Sequence, residues 1–128
     1  MRYSEAFAAL GYRLENPRQD WSAVNASGVC ISLWRCEIAF SAGKPRIDTR
    51  LHCGPEAMWH DLPGNKKRMR HLMRAATEYG GHIDVVIVDG KPGHGVDDAA
   101  PWESSRRKGS RWRITDFAGH FRAAVNVG

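Results

Sequence analysis

The chain has no long hydrophobic run. Stretches such as Val85-Val86-Ile87-Val88 are far shorter than the roughly twenty apolar residues that cross a bilayer. No membrane partner is therefore expected. Residues Met1 to Glu5 carry a base but no apolar core, so a secretory leader is not expected and the expected location is cytoplasmic. Also missing are a Walker sequence, a dinucleotide fingerprint, a nucleophile elbow and an HExxH pair, so no motif announces a nucleotide cofactor or a familiar hydrolase. Cysteine is scarce. Cys30, Cys36 and Cys53 are an odd set, read as free reduced thiols rather than a disulfide framework. A zinc site built from them with His52 or His60 lacks the close Cys-x-x-Cys pairs such sites use, because the gap from Cys30 to Cys36 is wide. Cys30 and Cys36 fall in or beside an apolar strand pattern, where cysteine acts as a small hydrophobe. No cofactor and no metal are expected.

Carboxylates are absent from two short stretches, and there the positive charge collects. Residues 1–64 hold 7 Lys/Arg against 7 Asp/Glu, whereas residues 65–128 hold 12 against 7, which accounts for the whole net charge of +5. Five bases, Lys66, Lys67, Arg68, Arg70 and Arg74, fall in one acid-free run, and five more, Arg106, Arg107, Lys108, Arg111 and Arg113, in another. Such a field attracts polyanions, since each phosphate neutralised releases condensed counterions. Nucleic acid, and DNA in particular, is the expected partner. A solvated face that keeps the protein soluble is the plainer reading of either run alone.

At 128 residues, with 42% hydrophobic and 26% charged residues, the chain reads as a single soluble domain over residues 1–128. Ser4 can cap a short helix through Leu10 that ends at Gly11. Trp21 to Val24 and Val29 to Trp34 read as strands of a hairpin turned at Asn25 to Gly28, with Val29, Ile31 and Leu33 on one face. Arg46 to Leu51 is extended, and Pro55 to Leu62 forms a helical turn. Asn65 opens the strongest helix, in which Met69, Leu72, Met73 and Ala76 form the buried stripe, with Lys67, Arg70, His71 and Arg74 outward. That helix stops at Tyr79-Gly80-Gly81, and His82 to Val88 follows as a buried strand. Residues 89–110 read as a long flexible loop, and Arg111 to Thr115 with His120 to Val125 as closing strands. The expected fold class is α+β: a small, mainly antiparallel curved sheet or partly closed barrel, with one long amphipathic helix and a short N-terminal helix.

Three constellations can carry chemistry. In the first, Lys67, Arg70 and Arg74 contact phosphates, joined by the bases from Arg106 onward. In the second, the five tryptophans Trp21, Trp34, Trp59, Trp102 and Trp112 supply stacking surfaces for unpaired or flipped bases, where a buried indole is ordinarily core. Asn16, Asp48 and Asn65 can supply the polar groups that read a base edge. In the third, Asp89-Gly90-Lys91 after an apolar strand, with Asp84 as a second acid, resembles the acid-x-Lys element of metal-dependent nucleases. Asp-Gly is equally a turn signal where a strand must end. His94 in a glycine-rich loop is an isolated acid-base group.

Asn16-Pro17-Arg18 with Trp21-Ser22-Ala23, Leu33-Trp34 with Glu37, and Gly64-Asn65 with Arg68 together resemble a group of small, poorly characterised bacterial single-domain proteins. Gln19 stands where that group usually has an aromatic residue. The resemblance spans about residues 10–90 and implies one compact domain without an assigned activity. A fold-level analogy extends to PUA/EVE-like barrels, which read modified or flipped bases. The expectation is thus a DNA-binding module without catalysis of its own. The alternatives are a metal-dependent nuclease, or a protein-interaction or inhibitor domain of a phage or defence system.

Overall fold

The computed structural model describes residues 1–41, 44–48, 62–90, 96–101, 110–118 and 120–127; for 37, 39–41, 44–48, 110–111, 113, 115–118 and 120–127 it describes the backbone alone. Among these residues run two helices, α1 (Tyr3–Ala9) and α2 (Pro63–Glu78), and eight strands. The strands are β1 (Ser22–Val24), β2 (Val29–Trp34), β3 (Ile38–Ser41), β4 (Lys44–Asp48), β5 (His82–Gly90), β6 (Val96–Pro101), β7 (Ser110–Ala118) and β8 (His120–Val127). A 3₁₀ turn, Arg35–Glu37, follows β2.

Two apolar strands lie side by side at the centre. β2 and β5 pair in parallel, Ile31 against Val85 and Leu33 against Ile87, and both are buried on two faces. Double burial is why they read as near-continuous Val/Ile/Leu runs rather than as alternating ones. Alternation then divides the side chains. Val29, Ile31, Leu33, Ile83, Val85 and Ile87 pack with Leu72 and Ala75 of α2 and with Trp112 of β7. Cys30, Trp34, Val86 and Val88 turn the other way, against Phe7 of α1, Tyr12, Leu14 and Trp21. Each helix thus covers its own side of the pair.

The other pairings are antiparallel, and the sheet runs β1-β2-β5-β7-β8-β4-β3 with β6 beside β5. β5 divides one edge between two partners. His82 and Ile83 pair with β7, whereas Val86 to Gly90 pair with β6. The curled, mainly antiparallel sheet with a long and a short helix is the α+β fold expected. Helix α2 starts at Pro63 in the N1/N2 region, where its missing N–H costs nothing, and ends at Gly80 and Gly81, with φ of 64° and 82°.

Several details differ from the expectation. The buried face of α2 carries Gly64, Asn65, Arg68, Leu72 and Ala75, while Met73 is 47% exposed and Ala76 is exposed. The stripe is rotated about one position from the expected Met69, Leu72, Met73, Ala76 pattern, because Arg68 is an inward residue. The 89–110 segment contains a strand, β6, whose polar Asp97 and Asp98 suit an outer strand, with Asp98 Oδ1 2.6 Å from the Met1 amino group. Residues 91–95 and 102–109 of that segment lie outside the described residues, as does the expected helical turn at Pro55. Cys36 is disulfide-bonded, which corrects the expectation of three free thiols; Cys30 is free and buried, and Cys53 lies outside the described residues.

Candidate functional site

Asn16 and Pro17 open a turn that ties itself together. The Asn16 carbonyl accepts from the amides of Gln19 and Asp20, at 3.0 and 2.8 Å. Asn16 Oδ1 accepts from the Arg18 amide, and Asp20 Oδ2 accepts from the Asn16 amide at 2.9 Å. These bonds fix a five-residue loop directly before β1. Tyr3, from the start of α1, donates to the Asp20 carbonyl at 2.8 Å and lies 2.9 Å from Ser32 Oγ. Ser32 Oγ in turn donates to the Trp21 carbonyl.

The loop faces the first turn of α2. A Cβ on Gly64 would run into the Gln19 carbonyl oxygen and lie 2.6 Å from Trp21 Cδ1, so only glycine lets the helix approach so closely. Between loop and helix opens a cleft of about 600 Å³, within the size range of small-ligand sites. Its walls include Tyr3, Asn16, Arg18, Asp20, Trp21 and Trp34. The two indoles meet edge to face, 4.6 Å between ring centroids. Trp21 is 9% and Trp34 2% exposed, so they offer part of their surface rather than open faces.

Arg68 is completely buried beside the indoles. Its guanidinium donates to the Ser32 carbonyl at 3.0 Å and to Asn65 Oδ1 at 3.1 Å, and stands 5.0 Å from the Trp21 ring centroid and 5.9 Å from that of Trp34. Lys67 bridges Asp20 Oδ2 at 2.9 Å and Glu15 at 3.3 Å. The hydrogen bond that Lys67 donates to Asp20 raises the pKa of the lysine. On the α2 face toward β1, His71 Nδ1 lies 2.6 Å from Ser22 Oγ, and burial lowers the His71 pKa.

These contacts sort the expected residues. Trp21, Trp34 and Asn16 converge on the cleft, with Asn65 buried behind it. Arg68 does not reach solvent, and Lys67 is engaged by two carboxylates. Arg74 pairs with Glu78 at 2.7 Å one turn on. Lys66 and Arg70 are exposed. Trp112 is 1% exposed within the core under α2 and so does not offer a stacking face. The backbones of Arg111 and Arg113 lie in β7 and that of Asp48 in β4, with side chains outside the described part. Trp59, Trp102, Arg106, Arg107, Lys108, Lys91 and His94 also lie outside it, as do His52 and His60.

The two acids of the nuclease alternative do not meet. Asp84 accepts from the Tyr12 hydroxyl at 2.7 Å, and Asp89 pairs with Arg35 at 2.7 Å. They stand five positions apart on β5, hence on opposite faces. Among the described residues no group of three His, Cys, Asp or Glu side chains could hold a metal ion. Sequence reasoning missed Tyr3, Asp20 and Gly64. Gly64 stood out only beside Asn65 in the resemblance, not as a contact of the cleft. No family model, curated protein or solved structure matches the chain. Among the described residues no helix is long and apolar enough to cross a membrane.

Proposed function

We propose that the protein is a nucleic-acid-binding module, acting on DNA, whose cleft holds an unpaired or flipped base. The observation that carries this reading is the meeting of Trp21, Trp34, Tyr3 and Asn16 in one cleft that also has Arg18 on its wall. Aromatic edges take up the base, polar groups address its rim, and cations address the phosphates on either side. Lys66 and Arg70, exposed on the helix that forms one wall, supply further positive charge; they stay as phosphate contacts and Arg18 joins them, whereas Lys67, Arg68 and Arg74 are engaged within the protein. The bases between Arg106 and Arg113 extend the field along the chain.

Titration of tryptophan fluorescence with duplex, single-stranded and base-modified DNA tests the proposal. With about three phosphate contacts, affinity should fall roughly 10- to 50-fold between 50 and 200 mM salt. Binding that ignores salt, or no binding at low salt, overturns it. Co-purification of a stoichiometric acidic protein in place of nucleic acid would also count against it.

A further inference from the structure

We propose that Asp20 makes the cleft selective for guanine. This step rests on the nucleic-acid reading above and adds the identity of the base.

Asp20 lines the cleft although the residue is only 2% exposed. Both of its side-chain hydrogen bonds fall on one oxygen: Oδ2 accepts from the Asn16 amide and from Lys67 Nζ, each at 2.9 Å. Oδ1 accepts from none of the described residues. A carboxylate oxygen can only accept, so the group that matches it from the cleft is an incoming N–H. With two donors on Oδ2, Oδ1 is the oxygen left to accept from a ligand.

The base edge decides which nucleotide satisfies this oxygen. Guanine presents two neighbouring donors, N1–H and the N2 amino group, side by side. Adenine and cytosine set a ring-nitrogen lone pair beside their amino group, and thymine sets a carbonyl on each side of its N3–H. Those lone pairs face the carboxylate and repel it. Guanine's remaining acceptor, O6, suits the donors of the same wall, Arg18 and the amide nitrogen of Asn16.

The test uses single-stranded thymidine hexamers with one central residue changed to guanine, hypoxanthine, 1-methylguanine, adenine or cytosine, read by tryptophan fluorescence at low salt. Guanine should bind about tenfold tighter than adenine or cytosine, in line with one good base-edge contact. Hypoxanthine, lacking the amino group, should fall between, and 1-methylguanine should lose the preference. A second arm uses Asp20→Asn. The two donors on Oδ2 hold the amide oxygen in that position, so the NH₂ group points into the cleft and reverses the hydrogen-bond polarity. On that variant the guanine hexamer should bind no better than the adenine hexamer. If the variant does not fold, the base analogues decide on the unmodified protein. Equal binding of all hexamers overturns the guanine assignment and leaves the nucleic-acid reading standing. No binding of any hexamer at low salt overturns both.

Discussion

The guanidinium carbon of Arg68 stands 5.0 Å from the Trp21 ring centroid, so a cation in the middle of a basic run is stacked on an indole instead of facing solvent. The charge-assisted hydrogen bond to the Ser32 carbonyl and the ring contact hold α2 against the β1–β2 hairpin, while the bond to Asn65 fixes the guanidinium within the helix. Arg68→Ala should therefore cost about 3 kcal/mol or more of folding stability, since the Ser32 carbonyl and Asn65 lose a charged donor in the interior. Arg70→Ala should stay within about 0.5 kcal/mol of the parent protein. Urea denaturation of the two variants measures the contrast.

In DNA binding the order of those variants reverses. Arg70→Ala, or Lys66→Ala, should weaken every DNA ligand alike and lower the slope of log affinity against log salt by about one unit. Titrations at three salt concentrations give that slope.

Gly64→Ala places a methyl group against Trp21 and the Gln19 carbonyl, both parts of a fixed loop. Overpacking of this kind should cost about 1–3 kcal/mol and reduce affinity for single-stranded DNA. A thermal melt and one binding curve check both effects. Gly11→Ala is a useful comparison, because its φ of 89° strains alanine while the site lies elsewhere.

Stability should fall on both sides of neutral pH. Burial, reinforced by the nearby Asp84, pushes the Cys30 thiol well up. The unfolded chain starts to lose that proton near pH 8.5 while the folded chain keeps it, so stability is complete below that pH and declines above it. Tyr3 acts in the same direction near pH 10, raised by burial against the opposing effect of its hydrogen bond with Ser32. Lys67, raised through Asp20, loses its contribution as it deprotonates at still higher pH. On the acid side, burial and then Lys67 lower His71, so below about pH 6.5 the unfolded chain takes up a proton that the fold resists. Urea midpoints between pH 5 and 11 should show both declines. Cys30→Ala should remove the first part of the alkaline one, and His71→Gln should reduce the acid one.

Elements set by local pattern were readable from the sequence. The β1–β2 turn is one case: Asn25 Oδ1 accepts from the amides of Ser27 and Gly28, the usual chemistry of an Asn-led turn. The Gly80-Gly81 stop of α2 is another. What stayed hidden depends on distant partners. The inward turn of Arg68 follows from a carbonyl in β2 and two indoles that no helical periodicity reports. The neutralising acids of Lys67, Glu15 and Asp20, lie some fifty positions away in sequence, so an acid-free run still met carboxylates. Strand β6 was obscured because its sequence is polar and its hydrogen bonds go to β5. The cleft was half legible: Asn16, Trp21 and Trp34 stood out as residue types, but the glycine that shapes it and the acid that lines it did not.

The parallel register of β2 with β5 has a consequence for biosynthesis. Leu33 meets Ile87, so this pairing must close a loop of about fifty residues, whereas the β1–β2 hairpin closes locally. A nascent chain leaving the ribosome therefore carries both indoles of the pocket early but lacks the opposite wall until α2 docks. The cleft between loop and helix is thus a feature that no fragment ending before α2 can possess.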